Sequence, residues 1–228
     1  MRTVGLLSDT DLSEVRERLR GMTDPVKLIH FTQELNLEYG REARTLIQEI
    51  ASASEKISAE FFNVLLDKSR SAEYGITKVP ATVVAGAKAA GIRFFGLPAG
   101  YEFSALLDAI LAVSNSDSGL TAESKLKLSL IAEPVHLEVL VTPTCPHCPG
   151  MARLAHGMAL QNELITADCV EITEFPELAA QYSVHSVPKT MINGGAAIDG
   201  ALPEDMFVDA LLIHLGIAAD ERAPESPE

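Results

Sequence analysis

The chain has 228 residues, of which 18 are lysine or arginine and 32 are aspartate or glutamate, giving a net charge of −14. This acidic balance argues against nucleic acid or an anionic membrane as the main partner, and 47% hydrophobic residues indicate a globular protein. Because no apolar run reaches about 18 residues and the start lacks a signal-peptide core, we expect no membrane contact and a cytoplasmic location.

Helical and strand patterns alternate in the first half of the chain. Ser8 or Thr10 can cap a helix that spans Asp9–Met22, and the apolar run Val26–Thr32 predicts a strand. A polar turn follows at Glu34–Gly40. The remaining predicted elements are a helix with the apolar face Ala43, Leu46, Ile47 and Ile50, a strand over Ile57–Val64, a short helix, strands over Ala81–Ala85 and Ile92–Gly96, and a helix over Tyr101–Ala112.

The second half repeats this pattern after a constant shift in residue number. The shift carries Val79-Pro80 onto Val187-Pro188 and the strand Ile57–Val64 onto Ile165–Ile172. The same shift carries the helix face onto Met151, Leu154, Ala155 and Met158. A single offset through helix, strand and proline indicates two copies of one unit.

We therefore expect two domains, residues 1–117 and 118–217, followed by an acidic tail, 218–228, that frays. The second copy is expected to end with strands over Thr190–Asn193 and Ala197–Asp199 and a helix over Glu204–Leu215. Strands that alternate with helices and then form a hairpin predict an α/β fold, in which each unit has a mixed sheet flanked by helices.

The motif Cys145-Pro146-His147-Cys148 lies between an apolar β-branched run and the repeated helix. Pro146 suits the first helical position and Pro149 the first turn. A helix start stabilises a thiolate, and a cysteine there can have its pKa lowered from about 8.5 to roughly 3.5–7.5. We expect Cys145 to be the exposed nucleophile and Cys148 the resolving thiol.

Other interpretations of these residues compete with redox chemistry. A zinc site needs two further ligands, and only Cys169 and scattered histidines remain, so no metal is expected. Cys169 matches Phe61 across the repeat, which predicts a buried structural thiol. A protonated His147 would further stabilise the Cys145 thiolate, and Glu138 could take a proton from Cys148.

The chain resembles the thioredoxin superfamily, and its tandem arrangement is similar to the glutaredoxin-like protein disulfide oxidoreductases of thermophilic archaea and bacteria. The resemblance rests on Thr144–Pro149, on both Val-Pro pairs and on Phe95–Phe103. It implies that Pro188 and Pro80 follow cis bonds and that Pro188 lies beside the cysteine pair. Val187 would then offer its backbone N–H and C=O to an extended substrate segment, with Pro146 beside it.

The first copy departs from this pattern, because Leu37 and Gly40 stand where the cysteines would be. It is expected to pack or dock rather than react. The leading hypothesis for the chain is a thiol–disulfide oxidoreductase that acts on protein disulfides without a cofactor. The alternatives are an electron carrier between a flavin-dependent disulfide reductase and a peroxidase, and a non-enzymatic scaffold that binds client chains.

Overall fold

A computed structural model describes residues 5–33, 39–87 and 91–217. Within these ranges the strands are β1 (Val26–Thr32), β2 (Ile57–Asn63), β3 (Ala81–Ala85), β4 (Ile92–Phe95), β5 (Val135–Val141), β6 (Ile165–Glu171), β7 (Lys189–Ile192) and β8 (Ala196–Asp199). The helices are α1 (Asp9–Arg18), α2 (Gly40–Ser52), α3 (Lys68–Glu73), α4 (Tyr101–Asn115), α5 (Ala122–Leu128), α6 (Cys148–Gln161), α7 (Pro176–Gln181) and α8 (Glu204–His214).

The α/β prediction is confirmed, and most predicted elements differ from the observed ones by only a few residues. The first helix ends at Arg18, and a short 3-10 turn over Leu19–Gly21 completes the predicted segment. All four residues of the predicted α2 face are buried. The predicted turn at 34–40, with Leu37, falls mostly outside the described residues, as does the tail 218–228. In the described ranges no helix is both long and apolar enough to cross a membrane.

The two copies share one eight-stranded sheet, ordered β2-β1-β3-β4-β6-β5-β7-β8. Each half has the same internal order, with a parallel pair followed by two antiparallel strands. The halves join where β4 pairs with β6 in parallel, with Phe94 opposite Cys169. The sequence predicts a mixed sheet in each copy; the structure adds that the two sheets are continuous.

Two hydrophobic cores lie on the two faces of this sheet. The larger core packs α1, α2, α4, α6 and α8 against one face and includes both active-site cysteines. The smaller core packs residues of α3 and α7, among them Tyr74 and Leu178, against the other face. Since α4 of the first copy also packs on α6 of the second, the helical layer crosses the junction as the sheet does.

The offset between the copies is constant from the repeated helix to the Val-Pro pair and changes on either side. Relative to that offset, β5 begins one residue later than β1 would predict, and β8 begins four residues earlier than β4 would predict. The chain segment between the first strand and the repeated helix is therefore one residue shorter in the second copy. Because side chains alternate between the faces of a strand, this difference decides which residues of β5 face the active site.

Candidate active site

Cys145 and Cys148 lie between the end of β5 and the start of α6 and form a disulfide, with Cα atoms 5.5 Å apart. Cys145 retains 8% of its accessible surface, whereas Cys148 is completely buried. The helix begins at Cys148, two residues later than predicted, so Pro146 lies in the loop and only the placement of Pro149 in the first turn is confirmed. Pro146 and His147 are both exposed beside the disulfide.

The Val187–Pro188 bond is cis, as is Val79–Pro80 in the first copy, and both expectations are confirmed. The Sγ atom of Cys145 lies 3.9 Å from the carbonyl oxygen of Val187, which places this segment beside the disulfide. Pro188 is buried and Val187 is partly exposed. Among the described residues, neither the N–H nor the C=O of Val187 forms a backbone hydrogen bond, so both are available to a bound chain.

The first copy forms a wall of the active site through the segment Gly96–Tyr101. The N–H of Leu97 donates to Glu174 at 2.6 Å. At the start of α4, the N–H of Tyr101 donates a 3.0 Å hydrogen bond to the carbonyl oxygen of Pro143 in the active-site loop. Gly100 has a φ of +58°, and a Cβ atom there would overlap that oxygen. Only a glycine allows this close approach of the two backbones.

Glu102 is a buried carboxyl that sequence analysis did not single out. It is 1% exposed, and Cys169 donates to its Oε2 at 3.1 Å while its Oε1 has no partner among the described residues. Burial raises the pKa of Glu102 from its usual value near 4.5 to about 7. Because Glu102 and Val141 border the same small cavity, this group lies close to the end of β5. A raised pKa near reactive thiols is typical of a proton donor or acceptor.

Cys169 is buried, as its match with Phe61 predicts. Burial, and then the neighbouring Glu102 carboxyl, raise the pKa of its thiol well above the ordinary value. The thiol is therefore protonated and shielded at neutral pH, which makes it a poor nucleophile.

We expect Cys169→Ala to leave disulfide exchange intact and to lower the free energy of unfolding by about 1–3 kcal/mol, since Glu102 would lose its thiol donor. Denaturant unfolding measures this loss. In the reduced native protein, an alkylating reagent should label Cys145 far faster than Cys169. Equal labelling rates would contradict the buried assignment.

Glu138 does not serve Cys148, and this prediction is wrong. Leu137 and Val139 face the large core that contains Cys148, whereas Leu140 faces the small core. Glu138 alternates with them and therefore points to the face opposite Cys148, where it pairs with Lys78 at 3.1 Å and accepts from the Tyr182 hydroxyl at 2.7 Å. Sequence alone could not place its face without the strand register.

A polar cluster lies on this second face and offers ligand atoms for a metal. Atoms of His136, Glu138 and Asp168 lie within 4.8 Å of one another. However, Arg93 donates to Asp168 at 2.6 Å, and Lys78 pairs with Glu138. Burial would raise the pKa of Asp168, but the His136 hydrogen bond and the Arg93 charge together lower it. Cationic side chains already neutralise both carboxylates, so the cluster is better suited to joining the two copies than to holding a metal.

Glu102 gives a prediction for stability against pH. Because its pKa is raised on folding, the folded state keeps a proton that the unfolded state releases, and stability falls as pH rises from about 4.5 to 7. We expect Glu102→Gln to match the unmodified chain near pH 5 and to be more stable at pH 8 by roughly 2 kcal/mol.

Denaturant unfolding across this pH range measures the effect. The exposed Glu163→Gln variant removes the same charge and should follow the unmodified chain throughout. Parallel curves for Glu102→Gln and the unmodified chain would contradict the raised pKa of Glu102.

The first copy preserves the frame of the site without its thiols. Gly40 begins α2 as Cys148 begins α6, and Pro80 is cis like Pro188. His30 is 1% exposed, opposite Thr82, and takes the place that Val139 holds opposite Thr190. Burial lowers its pKa to about 4, so this histidine is neutral under ordinary conditions.

Comparison with known proteins supports this description. Residues 135–213 match the model of a family described as "Thioredoxin domain". A crystal structure of a protein disulfide oxidoreductase from Aeropyrum pernix shares 30% identity and a TM-score of 0.85, covering 91% of this chain and 93% of that one. The NTD_N/C domain of alkyl hydroperoxide reductase AhpF from Enterococcus faecalis shares 26% identity with a TM-score of 0.83, covering 90% and 99%.

The curated relatives are longer proteins. The alkyl hydroperoxide reductase AhpF from Staphylococcus aureus is 26% identical over 192 residues, which cover 84% of this chain. A protein named NADH dehydrogenase from Bacillus subtilis is 24% identical over 180 residues, or 79% of this chain. The chain spans about a third of the length of these relatives, 34% and 32% respectively.

Proposed function

Since the chain belongs to the thioredoxin superfamily, as a tandem thioredoxin-fold protein of the protein disulfide oxidoreductase type, we propose that it is a thiol–disulfide oxidoreductase acting on protein disulfides. The observation that carries this proposal is the Cys145–Cys148 disulfide at a strand–helix junction, with the Val187 carbonyl 3.9 Å from the more exposed sulfur. We assign the chemistry to the second copy, residues 118–217, and a docking or packing role to residues 1–117.

The exchange reaction follows from the different exposure of the two sulfurs. In the reduced protein the Cys145 thiolate attacks one sulfur of a substrate disulfide, the substrate S–S bond breaks, and the departing thiolate takes a proton. The buried Cys148 then attacks the Cys145 sulfur of the mixed disulfide and releases the second substrate thiol. Two electrons pass to the substrate, and the protein ends as the Cys145–Cys148 disulfide.

Docking and proton transfer have separate candidate groups. The free N–H and C=O of Val187 would pair with an extended substrate backbone, which gives affinity without requiring a particular side-chain sequence. Pro146, His147 and Pro188 border the same place; His147 would favour the Cys145 thiolate when protonated. For Cys148 to attack, its thiol must lose a proton, and Glu102 is the buried group on this face whose pKa of about 7 suits that transfer.

A second candidate function places the chain between two other proteins. It would accept electrons from a flavin-dependent disulfide reductase and pass them to a peroxidase, as supported by its similarity to alkyl hydroperoxide reductase AhpF. The chemistry at Cys145 and Cys148 would be the same, with a different donor and acceptor. The non-enzymatic scaffold is less favoured, because a scaffold needs no accessible thiol pair beside an unpaired substrate-binding backbone.

Reduction of insulin by the whole chain with a dithiol as electron source tests the first function. We expect catalysis that depends on both Cys145 and Cys148. A second assay supplies a flavin disulfide reductase and a peroxiredoxin. Peroxide consumption faster than insulin reduction would favour the carrier, whereas no exchange in either assay would overturn the proposed function.

A further inference from the structure

A cavity of about 570 Å³ lies in the first copy, between α1, α2, α4 and the segment Leu97–Gly100. It is within the range of roughly 300–1,000 Å³ typical of ligand pockets, so it can accept a large apolar side chain. Its lining is mainly apolar: Leu7, Val15, Leu46, Leu97, Phe103 and Leu107. It opens at the surface beside Leu6, which is 47% exposed.

This cavity is continuous with the active-site wall. Gly100 lines it and also approaches the Pro143 carbonyl, two residues before Cys145. A chain bound with one cysteine at Cys145 could therefore run across Gly100 and reach the cavity with a neighbouring side chain. The first copy has no thiols, so a contact with substrate would give it a function that needs none.

The charges at the rim define the partner. Asp11 and Glu14 border the cavity, and both are exposed. Asp11 is fixed by hydrogen bonds with Ser8, at 2.7 Å from the hydroxyl and 2.9 Å from the backbone N–H. The remaining charged residue of the lining, Arg18, is paired with Asp108, which neutralises it. An apolar cavity with an acidic rim favours an apolar side chain next to lysine or arginine.

We propose that this cavity is a specificity site for the protein substrate, which accepts an aromatic or branched aliphatic side chain that neighbours a basic residue on the disulfide-bearing segment. This inference rests on the proposed thiol–disulfide exchange. It assigns the first copy the selection of substrates, while the second copy carries out exchange through backbone contacts that are tolerant of sequence.

The test measures second-order rate constants for oxidation of the reduced whole chain by disulfide peptides. A peptide with a Phe-Lys pair near its cysteine is compared with Ser-Lys and Phe-Glu versions, each with the pair moved stepwise along the peptide. At the best spacing we expect Phe-Lys to react about tenfold faster than Ser-Lys, because an apolar side chain leaves water. The Phe-Glu peptide should react more slowly than Phe-Lys, most clearly at low salt.

Two variants of α1 provide matched arms. Glu14→Lys should reduce the preference for Phe-Lys over Phe-Glu by about fivefold or more, as expected for a reversed rim charge. Glu17→Lys makes the same charge change on the same helix, away from the cavity lining, and should leave the preference unchanged. Both residues are exposed, so neither variant should prevent folding.

A small substrate, 2-hydroxyethyl disulfide, separates this inference from the proposed function. If the small disulfide reacts at one rate with all variants but the peptides show no preference, the specificity site is overturned and the exchange function stands. If a second copy of the chain covers the cavity instead, the preference will be absent and Glu14→Lys will change the sedimentation coefficient. That result also overturns the inference. Loss of reaction with the small disulfide would contradict the exchange function itself.

Discussion

Replacing Cys145 by serine is expected to abolish disulfide exchange completely. Cys145 is the sulfur that retains accessible surface, while Cys148 has none, so a substrate disulfide can be attacked only at the first position. A serine hydroxyl does not form the mixed disulfide through which exchange proceeds. Insulin reduction by the whole chain measures the loss. Cys169→Ala removes a buried thiol from β6 and serves as the matched control, which should retain activity.

Cys148→Ser should instead stop the reaction halfway. Cys145 would still attack, but nothing would release the substrate, so a mixed disulfide should accumulate and appear in non-reducing gels and intact-mass spectra. The same experiment with Cys145→Ser should show no adduct. Normal turnover by the Cys148 variant would reverse the assignment of attacking and resolving roles.

Much of this site could be predicted from residue patterns because its determinants are local. The apolar spacing of α2 and α6, the Val-Pro pairs and the Cys-x-x-Cys motif each lie within a few positions of one another, and the constant offset between the copies links them. The pairing of β4 with β6 has no comparable local signal. It depends on which strand edges remain unpaired after each copy folds, so the single continuous sheet is visible only in the structure.

The missed residues have a similar explanation. In sequence, Glu102 looks like an ordinary acidic residue in the first turn of a helix, where carboxylates are common on the surface. Its burial follows from packing of α4 across the junction, which brings it to Cys169 from the other copy. The prediction for Glu138 is wrong because a single residue of register determines the face of a strand, and the loop before α6 differs by one residue from its counterpart.

The same junction explains why a glycine of the first copy should control the active site of the second. Gly100→Ala is expected to lower the free energy of unfolding by about 3 kcal/mol and the rate of exchange by roughly tenfold to a hundredfold. The added Cβ would overlap the Pro143 oxygen, and φ is +58°, a conformation that alanine rarely adopts. Relief requires moving Pro143 and breaking its hydrogen bond from Tyr101, which displaces the loop that holds Cys145.

Two further glycines separate the causes. Gly119→Ala has a similar φ of +67°, but its added Cβ would meet no atom of the described residues within 4 Å. It should therefore show backbone strain alone, about 1–2 kcal/mol, with normal exchange. Gly150→Ala lies within α6, where its Cβ also meets nothing in the described part of the chain, and should stabilise the helix by roughly 0.5–1 kcal/mol. If Gly100→Ala resembled Gly119→Ala in both stability and exchange rate, contact with Pro143 would not be what holds the active-site loop. A loss of exchange confined to Gly100→Ala would mean that the thiol-free copy positions the reactive thiol of its neighbour.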